Sequence, residues 1–384
     1  MKTGSTIGLQ IQVFCLVSAA FTTIYITQPV LPVLQAEFRI DETLASLSIS
    51  AVIFGIALAN LPFGILADRQ KVRPIIVAGG SVIITCGLVC ALTDNFILLV
   101  VARFIQGLFI PALTTCLAAY LGRSLPAERL NVVMGSYVSA TVAGGLAGRL
   151  LGGWIHPTLH WRYAFVSASI LVLVATLVAV RRLPHEEQGK LIQVETIGFI
   201  ALLSKRDLLL IYSVAFGAFF VFSSIFNYLP FYLAAPPFNA STQFITCMYL
   251  SYVIGIFIGP IAGVISNRIG NGTTMALGSI LFASALAATL IQSILAIMLS
   301  LIGVCAGFFA IHASAAGSLN RRLVSSRGRA NSLYVLFYYL GGSLGITVSG
   351  YAYLFAGWSG VVVLGTLLLS LPFIAGITGK KWSA

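Results

Sequence analysis

Gly64-Ile65-Leu66-Ala67-Asp68-Arg69-Gln70-Lys71-Val72-Arg73-Pro74 is a short charged stretch set between two long apolar runs, residues 44–66 and 75–93. Each run is long enough to cross a hydrocarbon core of about 30 Å as a helix rising about 1.5 Å per residue. The stretch between them therefore reads as a tight turn at a membrane surface. Pro74 suits the first turn of the following helix, where its missing N–H is not needed. Gly64 has no side chain, so two helices can approach closely there. Asp68 can accept hydrogen bonds from a neighbouring helix N-terminus, and Arg69, Lys71 and Arg73 hold the turn on the cytoplasmic side. On charge alone a basic topogenic loop explains the stretch equally well.

The rest of the chain extends this pattern. Its 384 residues have a mean hydropathy of +1.01, with 59% hydrophobic and only 8% charged residues, far from soluble globular usage. The spacing of apolar runs predicts an all-α membrane protein with twelve spans, at about 10–34, 44–66, 75–93, 97–120, 132–154, 163–180, 208–233, 242–265, 273–291, 294–318, 332–356 and 360–378. With both termini in the cytoplasm, the inner segments carry 18 Lys and Arg and the outer loops two, Arg39 and Arg162. That asymmetry fixes the orientation of a multi-pass chain by the positive-inside rule. The net charge of +12 is then topology spread over seven inner segments, with no nucleic-acid-reading module. The first span is too long, and leads too directly into others, for a cleaved signal peptide. All six cysteines fall inside predicted spans, which implies neither a disulfide framework nor a metal site. No cofactor is expected.

Overlaying the second half on the first at an offset near 199 aligns several landmarks. Leu31-Pro32 falls on Leu229-Pro230, Gly64 and Arg69 on Gly263 and Arg268, Gly107 on Gly307, Arg129 and Asn131 on Arg329 and Asn331, and Trp161 on Trp358. The chain reads as a duplicated six-helix unit, with bundles at 1–180 and 208–384 joined by a cytoplasmic linker at 181–207. Two such units in the same orientation are related by an axis along the membrane normal, and substrate is expected at their midplane interface. Within the linker, residues 191–204 suggest a helix lying in the membrane surface. Pro29, Pro32 and Pro230 predict matching bends near the outer mouth.

All ten acidic residues lie outside the apolar centres of the spans, whereas Arg103 and Arg149 lie within them at similar depth. A buried Arg costs about 2.5 to 3.5 kcal/mol on insertion scales and usually faces a cavity or a partner. An anionic group on the substrate is the simplest partner; snorkelling to the outer surface, to pair with Asp41 or Asp94, is the rival reading. His312 is the one His inside a span and is a candidate for carrying a coupling proton. Tyr25, Gln28, Gln106, Asn227, Tyr228, Tyr334 and Tyr338 are candidates for polar handles on a substrate cavity.

Four motifs resemble the major facilitator superfamily. Gly64, Asp68, Arg69, Arg73 and Pro74 match its loop signature Gly-x-x-x-Asp-Arg-x-Gly-Arg-Arg, with Lys71 and Val72 where a Gly and a basic residue are usual. Arg103 and Gly107 match its fourth-helix Arg-x-x-x-Gly. Gly135, Gly144, Gly148, Gly152 and Gly153 follow the antiporter signature Gly-x8-Gly-x3-Gly-Pro-x2-Gly-Gly, with Arg149 at the Pro. Trp161-Arg162-Tyr163-Ala164-Phe165 opens the sixth helix in a similar manner. The resemblance is nearest the bacterial twelve-helix drug and sugar efflux branch. It implies a place in a bacterial inner membrane, the major facilitator fold of two pseudo-symmetric six-helix bundles and an inner gate at Gly64, Asp68, Arg69 and Arg73. It also implies proton or substrate handling at Arg103. The expectation is a monomeric secondary transporter working by alternating access, driven by a proton or sodium gradient and exporting a small amphiphilic organic compound. The alternatives are an importer of an organic anion bound by Arg103 and Arg149, and a non-transporting sensor or channel. An enzyme is disfavoured, since no nucleophile and base pair stands out.

Overall fold

The computed structural model describes residues 4–125, 127–183, 198–323 and 327–378. Among them the chain is helical with no strand. The first half comprises α1 (Gly4–Ile24), α2 (Leu31–Phe38), α3 (Glu42–Arg69), α4 (Val72–Leu92), α5 (Phe96–Leu113), α6 (Thr115–Ser124), α7 (Ala127–Thr158) and α8 (Arg162–Arg182). After it come α9 (Phe199–Leu203), α10 (Arg206–Ala234), α11 (Thr242–Met248), α12 (Ile254–Ile269), α13 (Asn271–Ala288), α14 (Ile294–Arg321), α15 (Arg327–Leu368) and α16 (Ser370–Thr378). Ten stretches of the described residues are long and apolar enough to cross a membrane. The last of them, Gly328–Thr378, is two crossings joined across a kink at Ala356 and Gly357. With the 32-residue α7, the twelve expected spans are accounted for.

Local chemistry sets the ends of these helices. Asn95 accepts from the Leu98 amide to open α5, and Ser241 accepts from Phe244 to open α11. The Asp41 carboxylate accepts from the Leu44 amide at 2.7 Å as α3 begins. Arg39, in the left-handed region at φ 55°, closes α2 by donating its amide to the Gln35 carbonyl.

The chain clusters into two compact units. One is Met1–Arg39 with Leu47–Gln193; the other is Ile40–Ser46 with Val194–Ala384. Each is built around a long helix pair held by glycines. In the first, a Cβ on Gly144, Gly148 or Gly152 of α7 would overlap the carbonyl of Ser18, Thr22 or Ile26 respectively. In the second, a Cβ on Gly341 or Gly345 of α15 would overlap the carbonyl of Phe216 or Phe220 of α10. At the next matching position, Ser349 hydrogen-bonds Ser224 at 2.9 Å. Small residues spaced by four let two backbones meet face to face, which is how the same packing is written twice in one chain.

The structure departs from the sequence expectations in two places, and a third expectation is only partly described. The close approach expected at Gly64 lies elsewhere: a Cβ there would have only Thr115 Cγ2 within 4.0 Å, while one on Gly55 would press on the Phe104 backbone. The interruption of the first span has no counterpart in the seventh. The first span breaks after Ile24 and resumes through a 3-10 turn at Gln28–Val30, but α10 runs unbroken through Pro230. The Phe226 carbonyl that Pro230 leaves without an amide accepts from the Tyr249 hydroxyl of the next span at 3.0 Å, so its hydrogen bonding is kept. Of the surface helix expected at 191–204, residues 191–197 lie outside the described residues, and the described part forms the five-residue α9.

Candidate functional site

The interruption of the first span at Tyr25, Ile26 and Thr27 organises the polar chemistry of the first unit. A broken helix leaves backbone carbonyls without their i+4 amides, and inside a bilayer each such group needs another donor. Arg103 of α5 supplies it. This fully buried guanidinium donates from Nη1 to the Thr23 carbonyl at 2.6 Å and from Nη2 to the Ile24 carbonyl at 2.5 Å. Its Nε donates to the Ser48 carbonyl of α3 at 2.8 Å, and Nη1 also reaches Gln106 Oε1 at 2.6 Å. Four of its five N–H groups are thus engaged. Gln106 passes the network on, its amide donating to the Ile83 carbonyl of α4 at 3.1 Å. Arg103 and Gln106 join four spans, and neither is paired with the outer carboxylates.

Arg149 approaches the same break from α7. It is 2% exposed, with Nη1 donating to the Gly145 carbonyl at 2.8 Å, one turn earlier. Its Nε donates to Gln28 Oε1 at 2.6 Å, and its guanidinium carbon lies 3.9 Å from the Tyr25 ring centroid. A guanidinium over a tyrosine face is attracted by the ring quadrupole, which helps hold it in place. Gly148 and Gly152 position the residue, since their contacts with Thr22 and Ile26 bring the α7 backbone against the first span on either side of Arg149. The structure therefore brings Tyr25, Gln28 and Arg149 together, with Tyr25 the partly exposed member. Gly153 is buried beside them, whereas Gly135, at the far end of the same motif, has open space where a Cβ would sit.

In the second unit the named residues fall into two groups. Asn227 and Tyr228 are fully buried. The Asn227 amide donates to Ser46 Oγ at 2.7 Å and the Tyr228 hydroxyl to the Ile346 carbonyl at 2.8 Å, so these expected cavity handles are packed as ties between helices. His312, Tyr334 and Tyr338 form the other group. The Tyr334 hydroxyl lies 3.0 Å from His312 Nδ1, and the Tyr338 and His312 ring centroids are 5.2 Å apart. Tyr338 stacks on Phe219 at 3.8 Å and stays half-buried, as does His312.

Of the gate residues, Arg69 is exposed and Arg73 donates to the Leu183 carbonyl, closing the end of α8 within the same unit. The Asp68 side chain lies outside the described residues. One polar cluster escaped the sequence reading. Glu37 of α2 accepts from the Trp161 indole and from Arg162 at 3.0 Å, and Arg162 also meets Asp94 at 2.8 Å. The Trp-Arg pair that opens α8 was the available signal, but nothing in it pointed to Glu37. Among the described residues no group of three His, Cys, Asp or Glu side chains is placed to hold a metal.

Residues 13–309 match the Major Facilitator Superfamily. The chain belongs to this family. It is a multi-pass membrane transporter of that type, with the fold of two six-helix bundles that the loop signature implied. Its similarity to the inner membrane transport protein YnfM of Escherichia coli (strain K12) is 27% identity over 362 residues, covering 93% of this chain and 87% of the relative. A cis,cis-muconate transport protein of Acinetobacter baylyi is 25% identical over 264 residues, covering 64% of this chain and 63% of the relative. The crystal structure of a bacterial homolog of the human lysosomal transporter Spinster, inward-facing and unoccupied, shares the fold at a TM-score of 0.82. The two are 15% identical, and the match covers 99% of each chain.

Proposed function

We infer that the protein is a secondary transporter whose substrate is a small organic anion, or a neutral amphiphile with an acidic group, moved by alternating access. The observation that carries this reading is the buried Arg149 guanidinium held against Tyr25 and Gln28 at the broken turn of the first span. A fixed fork of donors suits a carboxylate, and a charge already removed from water pays little further desolvation when an anion arrives. Arg103 has a different part in this reading: with its donors on backbone carbonyls, it sustains the broken turn on which the Arg149 group is built. The name of the muconate relative, a dicarboxylate transport protein, supports the choice of substrate class.

Export is the favoured direction, on the likeness of the glycine stripe of α7 to the antiporter signature. An inner gate at Asp68 and its basic neighbours and a coupling proton at His312 complete the scheme. The deciding experiment is flux in proteoliposomes with imposed pH and sodium gradients, against anionic, neutral and cationic compounds supplied from either side. Anions should move in a saturable way, and Arg149→Gln should weaken their transport about tenfold to a hundredfold, the worth of one or two charge-assisted hydrogen bonds. Robust movement of a quaternary ammonium compound, unchanged by Arg149→Gln, would sink the reading.

A further inference from the structure

At one end of the second unit, the start of α10, the start of α13 and the ends of α14 and α16 enclose a cavity of about 310 Å³. Its charged wall holds Arg321, Arg322 and Asp207, and its apolar wall includes Leu210, Val214 and Met275. Arg322 Nη1 lies 3.3 Å from Asp207 Oδ2, so one pair is internally balanced. Arg321 is exposed and donates to the Asn267 side chain, a neutral acceptor, which leaves the described lining residues one positive charge in excess. The positive-inside count puts this end of the unit at the cytoplasmic surface.

We propose that this cavity binds the phosphate headgroup of an anionic phospholipid from the cytoplasmic leaflet. Three features of the cavity match such a ligand: a net positive rim, a guanidinium fork suited to a phosphate diester, and an apolar wall against which the glycerol carbons next to the phosphate can pack. A zwitterionic lipid brings a compensating ammonium to the rim and gains less. A free phosphate finds the same rim but makes no use of the apolar wall. The cavity lies wholly within the second unit and is separate from the Arg149 group.

The test uses the full-length protein purified in detergent, with lipid retention read by native mass spectrometry. Phosphatidylglycerol should be retained in preference to phosphatidylcholine. Arg321→Gln, at an exposed position, should weaken that retention about fivefold. Asp207→Asn should strengthen it, because it removes the one negative charge among the described lining residues; this opposite sign is not expected of general damage to the fold. Equal retention of the two lipids, or no change with Arg321→Gln, would overturn the proposal. Displacement of the lipid by millimolar inorganic phosphate would overturn the lipid as the source of the phosphate.

Discussion

The guanidinium carbon of Arg149 lies over the ring of Tyr25, 3.9 Å from its centroid, at the point where the first span stops being a helix. The ring can stand there because α1 has ended at Ile24, which frees residues 25–27 from the helical register. Tyr25→Leu should therefore weaken transport of an anionic probe severalfold by releasing the guanidinium, and Tyr25→Phe should lose less. Concentration dependence of flux, read for both variants at matched protein amounts, separates the two.

Arg103 calls for a different expectation. Arg103→Gln removes donors from the carbonyls of Thr23, Ile24 and Ser48 in a dry environment, at a cost of about 1 to 3 kcal/mol for each group left unsatisfied. The variant should lose thermal stability in detergent as well as transport, whereas Arg149→Gln should lose transport with a smaller change in melting. Equal melting of Arg103→Gln and the parent would remove the structural role.

The glycine stripe gives a paired test. Gly148→Val should disrupt the α1 and α7 contact, because the added side chain would overlap the Thr22 carbonyl, and overpacking of this kind costs about 1 to 3 kcal/mol or more. Gly135→Ala, in the same motif but with open space around it, should be neutral or slightly stabilising through helix propensity. Thermal unfolding of the two proteins side by side checks the contrast.

For the gate, Asp68→Asn should impair transport while substrate binding stays close to that of the parent, because removing the charge shifts the population of one conformational state without touching the Arg149 group. Binding by calorimetry alongside flux at matched expression reads both quantities. Unchanged flux would dismiss the latch.

Orientation is checked by labelling. With the exposed Cys15 and Cys247 replaced by serine, a single cysteine at Ser124 should react with an impermeant reagent only from the cytoplasm, and one at Ser241 only from outside. Labelling of Ser124→Cys from the periplasmic side would invert the topology.

The spans and the glycine stripe were legible because apolar run length and spacing by four are carried by side chains that the sequence states outright. The doubling of the stripe at Gly341 and Gly345 was less so, because the repeat was visible in other landmarks. The target of Arg103 was hidden for a physical reason: backbone carbonyls at a helix break have no residue signature, and a sequence shows the donor without the acceptor. The acceptor freed by Pro230 was hidden in the same way, since the hydroxyl that serves it comes from Tyr249, in another span. The Glu37 and Trp161 pair joins residues 124 apart in sequence, a distance over which no local pattern speaks.

The bond between Arg103 and the carbonyl of Thr23 also has a history in time. The two residues are 80 positions apart, so at about 5 to 20 residues per second the carbonyl emerges from the ribosome roughly 4 to 16 s before its donor exists. Through that interval the nascent first span carries an interrupted helix that it cannot complete alone. The carbonyls of Thr23 and Ile24 therefore gain these donors only once the fourth span has been made.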